Sequence, residues 1–260
     1  MKMNTSIRNS WFTPAAAALG LAIVASAAAG VQAAELQVLA GGGFSGPLTE
    51  LAADFERTSG HRIVIRFGTT PELVKLVTGG TSFDLAVVPR EVFKDADTPS
   101  HFEPAPTIDI ARVGLGVAVR AGAPKPDIST PEALKQTLLH AQSIATVPAS
   151  AAGAQVLRAF ERLGIGEAMK VKTRPQSAPA QIVQAVARGE AELGVFLVNV
   201  LTAPGLEVIG PFPPEVQQEI EYVAGVSANA KERQAAQSFI TYLKTPAAAA
   251  VIKAKGLRPG

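Results

Sequence analysis

A glycine-rich turn is the first feature of the chain whose spacing is suited to chemistry. Gly41, Gly43 and Gly46 spell G-x-G-x-x-G between a strand-like run and a helix-like run. In dinucleotide-binding folds, this spacing brings the backbone close to a pyrophosphate at a helix N-terminus. The same turn would also present free backbone N–H groups and the positive end of a helix dipole to any anion. The motif therefore predicts either a nucleotide site or a simpler anion site.

The residues around the motif argue against a nucleotide. A dinucleotide site needs an acidic side chain roughly 20 residues beyond the glycines to bind the ribose hydroxyls, and that position falls on Arg66. Pro47 directly follows the third glycine, so the helix is predicted to begin there, with Ser45 or Gly46 as its cap. We therefore predict an anion site that relies on backbone donors.

Similar polar turns come before three other helix-like runs. Thr69 and Thr70 precede one helix, Ser150 precedes a second and Ser177 precedes a third. Because ligands of open parallel sheets bind beyond the carboxyl ends of the strands, we expect these turns to converge on one cleft. The role of helix cap is the simpler explanation for any one hydroxyl, whereas convergence would explain all of them together.

Cysteine and histidine offer little further chemistry. The chain has no cysteine, which excludes disulfides, thiol catalysis and cysteine-ligated zinc. Its three histidines, His61, His101 and His140, are widely spaced and indicate neither a metal site nor a catalytic triad. We predict no cofactor and no catalytic residues.

Three further polar residues follow predicted strands: Arg90, Arg174 and Asn199. A guanidinium in the cleft would suit a carboxylate ligand, because its planar fork matches a carboxylate in two hydrogen bonds. A solvated loop position is the alternative for each of them.

Apolar periodicity predicts the elements that position these turns. Strand-like and helix-like runs alternate, which is typical of an α/β fold with a parallel sheet. A stretch poor in pattern, residues 95–111, separates two such α/β units. Strands are predicted at 36–40, 62–67, 84–88, 113–120, 143–147, 169–173, 193–198 and 221–227. The later predicted helices cover 151–163, 179–188, 231–243 and 246–255.

Residues 1–33 are predicted to be a secretory signal peptide. Lys2 and Arg8 precede an apolar run that ends in Val31-Gln32-Ala33, a small-x-small cleavage signal. A membrane anchor is the weaker alternative, since the run is short and no basic stop-transfer segment follows it. Without Lys2 and Arg8 the chain carries 22 basic and 22 acidic residues, so its charge indicates no nucleic-acid partner.

Six segments carry a family resemblance: LTELAADFERTSGHRIVIRFGTT, TGGTSFDLAVVP, VGLGVAVRAGAPKPDISTPEALKQ, ATVPASAAG, ARGEAELGVFL and FITYLKTPAAAAVIKAKGLRP. Together they resemble type 2 periplasmic solute-binding proteins, and within them the molybdate-binding branch. The resemblance implies an α/β fold of two Rossmann-like lobes joined by crossing strands. Lobe 1 would comprise residues 34–115 plus 222–260, and lobe 2 residues 116–221.

The same resemblance implies a function. Such proteins are periplasmic monomers that capture a small solute between the lobes and deliver it to the inner-membrane permease of an ABC importer. The implied partners are therefore a small anionic ligand and that permease, with no nucleic acid. Two alternatives stay open: a binding protein that signals to a membrane sensor, and an exported enzyme acting on a small anion.

The molybdate branch surrounds its oxyanion with serine hydroxyls, backbone amides and a tyrosine hydroxyl. Matched without gaps, the first serine falls on Gly43, the second on Thr70 and the tyrosine on Leu197. One amide position falls on Ala149, and another on Pro179, which has no N–H. These departures predict a ligand that need not be molybdate itself. The predicted ligand-binding residues are Gly43, Ser45, Thr69, Thr70, Arg90, Ala149, Ser150 and Asn199.

Overall fold

The computed structural model of the protein describes residues 1–2 and 33–260, and everything below concerns residues 33–260. The signal peptide predicted for residues 1–33 therefore lies outside the described residues, apart from its ends. Residues Ala33–Gly260 form one compact unit. No helix in this part of the chain combines the length and the apolar character needed to cross a membrane.

Strands and helices alternate through most of the chain, as the periodicity predicts. The strands are β1 (Glu35–Gly41), β2 (Arg62–Gly68), β3 (Leu85–Pro89), β4 (Ile108–Arg120), β5 (Ile144–Thr146), β6 (Thr173–Pro175), β7 (Leu193–Leu197), β8 (Leu206–Pro211), β9 (Glu219–Val226) and β10 (Arg258–Pro259). The helices are α1 (Ser45–Ser59), α2 (Thr70–Thr78), α3 (Pro131–His140), α4 (Ala151–Arg162), α5 (Gly166–Lys172), α6 (Pro179–Ala187), α7 (Val198–Leu201), α8 (Arg233–Leu243) and α9 (Pro246–Ala254).

Within the described residues the strands form one continuous sheet, in the order β2-β1-β3-β9-β4-β7-β5-β6, with β8 and β10 also paired to β4. β1 lies parallel to β2 and β3, and β5 lies parallel to β6 and β7, which confirms the predicted parallel arrangement at both ends. The central strands β4 and β9 are antiparallel. We call β1–β3, β9 and β10 the first half of the sheet, and β5–β8 the second half.

The long strand β4 belongs to both halves. Its residues up to Gly114 pair with β9, and its residues from Leu115 on pair with β7. At this change of partner, the Gln217 side chain hydrogen-bonds Leu115 as a neighbouring strand would. Its Oε1 accepts the Leu115 N–H at 2.8 Å, and its Nε2 donates to the Leu115 carbonyl at 2.9 Å. The lobe boundaries at 115 and 222 stay a prediction.

A buried carboxylate ties the first half of the sheet to the start of α8. Asp84, which is 4% exposed, accepts backbone N–H groups from Gln37 at 2.8 Å, Lys231 at 2.7 Å and Glu232 at 3.0 Å. A buried carboxylate without hydrogen-bond partners would destabilise the fold. The three N–H donors satisfy Asp84, so its side chain links these segments instead.

The secondary structure differs from the prediction at three places. The strand predicted at 169–173 is mostly helix α5: Met169 is buried but Val171 is 77% exposed, so the two do not share one face as alternate residues of a strand would. The stretch poor in pattern at 95–111 contains the start of β4, where the pairing with β9 shifts register between Asp109 and Ala111, so the apolar residues do not keep one alternation. Strand β8 was not predicted at all, because its short sequence is flanked by glycine and proline.

Candidate functional site

The ends of five strands border one cleft between the two halves of the sheet. Gly41, Gly68 and Pro89 end β1, β2 and β3, whereas Val147 and Leu197 stand at the ends of β5 and β7. The full lining is Gly41, Gly42, Gly43, Gly68, Thr69, Thr70, Pro89, Val147, Ser150, Ala151, Ala152, Pro179, Phe196, Leu197, Ile220 and Tyr222. The cavity is small, about 30 Å³. Its place at the carboxyl ends of parallel strands is the one that the sequence predicts.

Helix α2 begins at the cleft with Thr69 as its N-cap. The Glu72 carboxylate accepts both the backbone N–H of Thr69, at 2.8 Å, and the Thr69 hydroxyl, at 2.9 Å. These hydrogen bonds, with a smaller contribution from Arg66, lower the pKa of Glu72 below its ordinary value. Because Thr69 is the cap, the Thr70 side chain is left for another role.

Helix α4 begins on the opposite side of the cleft. The Ser150 hydroxyl accepts the N–H of Gly153 at 2.9 Å and donates to the Val147 carbonyl at 2.8 Å, so this serine is a helix cap. The next amide, that of Ala151, donates across the cleft to the Thr70 hydroxyl oxygen at 3.0 Å. The two helix starts are therefore in direct contact.

The backbone N–H of Ala152 lies between those of Ala151 and Gly153 at the start of α4. Helices leave their first N–H groups without intrahelical acceptors, and among the described residues the Ala152 N–H has no acceptor. Ala152 lines the cleft. Its N–H is therefore placed to bind an acceptor inside the cleft, in a field that favours negative charge.

The glycine-rich turn makes room for an aromatic ring. A Cβ on Gly41 would lie 2.8 Å from the Pro89 ring and 2.9 Å from the Tyr222 ring. A Cβ on Gly43 would overlap the Tyr222 hydroxyl oxygen and approach a Leu197 methyl to 2.6 Å. The ring itself stacks on Phe44 at a centroid distance of 5.0 Å. Close approach by Tyr222, together with Pro89 and Leu197, therefore explains the first two glycines of the motif without a nucleotide.

The third glycine of the motif has no such neighbour. A Cβ on Gly46 would meet nothing within 4 Å. Helix α1 begins at Ser45, directly after a 3-10 turn at Gly42–Phe44, so the prediction that Ser45 or Gly46 caps a helix starting at Pro47 is wrong. The reason is that the Ser45 N–H donates to the carbonyl of Gly42, which carries the 3-10 turn into the helix without a side-chain cap.

Tyr222 lies on β9 and is only 2% exposed. Burial, with a smaller effect of the Glu91 charge, raises the pKa of its hydroxyl far above the ordinary value. The hydroxyl therefore stays protonated at neutral pH. No hydrogen bond to it is formed by the part of the chain that the structure describes. Sequence reasoning missed this residue, and the available signal was the pair of glycines that admits it.

Asn199 supports the glycine turn without lining the cleft. Its Nδ2 donates to the Gly43 carbonyl at 2.8 Å, and its buried Oδ1 has no partner among the described residues. Because Asn199 follows β7 and Gly43 follows β1, this hydrogen bond is a second link between the two halves of the sheet.

Arg90 stands outside the cleft lining, and its donors are engaged elsewhere. Its Nε donates to Glu221 at 2.6 Å and its Nη1 to Thr107 at 3.2 Å, while its Nη2 pairs with Asp109. The hydrogen bond with Glu221 is the main cause that raises the pKa of Arg90. The structure thus directs this guanidinium toward two carboxylates of the protein.

The remaining predicted residues divide into two groups. Gly43, Thr69, Thr70 and Ser150 line the cleft together, as do the mismatched Pro179 and Leu197. Ser45, Arg90, Ala149 and Asn199 do not belong to the lining, and Ala149 is exposed. The Ser177 hydroxyl, also outside the lining, donates to Gln181 at 2.8 Å.

The cleft lining is electrically neutral. Among the described residues it contains no lysine, arginine, histidine or carboxylate, and Tyr222 is its one titratable side chain. No cluster of three or more potential metal ligands occurs in residues 33–260. The chemistry on offer is hydrogen-bond donation from amides and hydroxyls at two opposed helix N-termini, which suits a small anion.

Residues 36–258 match the family of bacterial extracellular solute-binding proteins. This chain belongs to that family. Among its relatives is a protein of a Pseudomonas species named aconitate isomerase, 33% identical over 242 residues, which are 86% of this chain and 87% of the relative. Another is the molybdate-binding protein of Azotobacter vinelandii, 32% identical over 248 residues, which are 92% of this chain and 94% of the relative.

The fold of this solute-binding protein has solved counterparts. The periplasmic molybdate-binding protein of Azotobacter vinelandii matches it with a TM-score of 0.73 at 22% identity, over 85% of this chain and 98% of that one. This match confirms the predicted α/β periplasmic-binding-protein fold. The resemblance to the molybdate-binding branch is confirmed by the sequence relative as well.

Proposed function

We propose that this protein captures a small anion, a molybdate-like oxyanion or a small carboxylate, in the cleft and delivers it to an ABC importer. The observation that carries the proposal is the contact between the N-termini of α2 and α4, made by Ala151 and Thr70 at 3.0 Å. Two positive dipole ends that face each other repel one another, and an anion between them, bound by the free N–H of Ala152, removes that repulsion.

The neutral lining favours a ligand recognised by neutral donors. Hydrogen bonds to a charged acceptor contribute roughly 1.5–3 kcal/mol each, so a few amides and hydroxyls are enough for tight binding. The cavity of about 30 Å³ favours a compact ligand over a bulky one. A multiply charged ligand would have to be bound without a cation from the described lining.

Three departures set this cleft apart from the molybdate pattern implied by the resemblance. A serine at Gly43 would overlap the Tyr222 hydroxyl, and the position of the expected tyrosine is Leu197, a buried aliphatic side chain. Pro179, which lines the cleft, offers no N–H. We therefore extend the proposal to small carboxylates, for which the Pseudomonas relative named aconitate isomerase gives support.

An exported isomerase is the second candidate function, and the same relative, at 33% identity, favours it. Moving a proton along a carboxylate substrate requires a base within hydrogen-bond reach. The raised pKa of Tyr222 makes its hydroxyl a poor base at neutral pH. The neutral lining thus supports binding over turnover.

The experiment is isothermal titration of the exported protein with molybdate, sulfate, cis-aconitate, trans-aconitate and citrate, with proton NMR of each carboxylate mixture over time. Saturable binding of one anion without conversion supports the proposal. Conversion of cis- to trans-aconitate would establish the enzyme instead, and absence of binding by all five would overturn both. N-terminal sequencing of the same preparation tests export, since a start at Ala34 is expected.

A further inference from the structure

The Tyr222 side chain fills space in the cleft that the glycine-rich turn leaves open. Its ring occupies the space beside Gly41 where a side chain would otherwise stand, and its hydroxyl does the same beside Gly43. Phe44 stacks on the ring at 5.0 Å and holds it in this orientation. Three positions of the turn, Gly41, Gly43 and Phe44, thus accommodate one tyrosine.

We propose that Tyr222 is a ligand-recognition residue whose hydroxyl donates a hydrogen bond to the bound anion. The proposal rests on the proposed function of anion capture and names a donor that the family resemblance did not place. In the matched pattern the donors would come from a serine at Gly43 and a tyrosine at Leu197. Here one hydroxyl, carried by β9, reaches the space between those two positions.

Three observations support this role. Tyr222 lines the cleft although it is only 2% exposed. Its hydroxyl has no hydrogen-bond partner among the described residues, so its proton is available to an acceptor in the cleft. Because burial holds the hydroxyl in its protonated form, it can donate to an anion and cannot repel it.

The test compares Tyr222→Phe with a matched control. Tyr242, on α8, is the other tyrosine of the chain, and its ring packs against Phe55 of α1 with centroids 5.4 Å apart. Each variant is titrated with molybdate and with trans-aconitate, and its melting temperature is recorded. Tyr222→Phe should weaken the binding of the anion that wild type prefers about tenfold to a hundredfold, because one hydrogen bond to a charged acceptor is lost. Tyr242→Phe should leave the affinity unchanged.

A double-mutant cycle tests the role of Gly43. Gly43→Ala should lower the affinity, because its Cβ displaces the Tyr222 hydroxyl. In the Tyr222→Phe background the same change should lower the affinity by less, since the clash with the hydroxyl is gone and the nearest ring carbon lies at 3.7 Å, while the contact with the Leu197 methyl at 2.6 Å is common to both backgrounds. Strictly additive effects of the two substitutions would contradict the proposed pairing.

A spectroscopic measurement keeps the test independent of the folding of Tyr222→Phe. In the Tyr242→Phe variant of the exported protein Tyr222 is the remaining tyrosine, so the saturating anion should change the tyrosine absorbance difference spectrum. If wild type binds an anion and Tyr222→Phe binds it equally well, with no spectral change, this inference fails and the proposed function stands. If wild type binds neither probe nor any other anion of the panel, the proposed function fails with it.

Discussion

The backbone N–H of Ala151 donates to the hydroxyl oxygen of Thr70 at 3.0 Å, and this hydrogen bond connects the first residue of α4 with the first residue of α2. Since Thr70 accepts in this bond, its own hydroxyl proton is free to be donated. An anion in the cleft is the acceptor that would complete the arrangement.

Replacing Thr70 by valine keeps the shape of the side chain but removes that donor. If the hydroxyl binds the anion, affinity should fall by roughly 1.5–3 kcal/mol, about tenfold to a hundredfold. Titration calorimetry measures the loss, and a thermal melt accompanies it. The matched variant Thr69→Val removes the N-cap hydroxyl bound to Glu72, so it should lower stability by about 1 kcal/mol with little change in affinity. If Thr70→Val lowers stability but leaves affinity unchanged, Thr70 is not a ligand donor.

Replacing Ala152 by proline deletes one backbone donor of the cleft. Proline is tolerated in the first turn of a helix, where the N–H has no intrahelical acceptor. We expect at least tenfold weaker anion binding from the loss of one charge-assisted hydrogen bond. Glu132→Pro makes the same change at the second residue of α3, outside the cleft lining, and should leave affinity unaltered. Equal affinities of the two variants would show that the Ala152 N–H is not a ligand donor.

The sequence indicates the cleft better than it indicates the donors within it. Apolar periodicity and helix-cap residues predict where parallel strands end and helices begin, so Thr70 and Ser150 could be placed near each other. The contribution of Tyr222 depends on β9, which is distant in sequence from the glycine turn and adjacent to it only after folding. The engagement of Arg90 by Glu221 and Asp109 has the same origin, because the three residues meet through pairing of strands that are remote in sequence.

Asp84 should be essential for stability. Asp84→Ala would leave three backbone N–H groups, from Gln37, Lys231 and Glu232, without their acceptor. Each unsatisfied buried donor costs about 1–3 kcal/mol, so we expect a total loss of roughly 3 kcal/mol or more in urea unfolding. The exposed Asp127 accepts the N–H of Ser129 in a local turn, and Asp127→Ala should cost no more than about 1 kcal/mol. Similar losses for both would contradict the cross-linking role of Asp84.

Alkaline pH should destabilise the protein through Tyr222. The folded pKa of this tyrosine is raised by burial, so its contribution is fully present below the ordinary value of about 10 and is lost as pH rises beyond it. The free energy of unfolding should then fall by up to about 1.4 kcal/mol per pH unit relative to Tyr222→Phe. Urea unfolding of both proteins from pH 8 upward measures this difference. If the unfolding free energies of the two proteins change with pH in parallel above pH 10, Tyr222 is not held neutral in the folded state.

We propose that neutral donors at two opposed helix N-termini hold the ligand. A crystal structure of the protein with the anion that binds most tightly in titration tests it most directly. We predict that an anion oxygen lies within about 3 Å of the Ala152 nitrogen and that others lie at similar distances from the hydroxyls of Thr70 and Tyr222. An anion bound instead at Arg90, or anywhere outside the cleft between α2 and α4, would contradict the account.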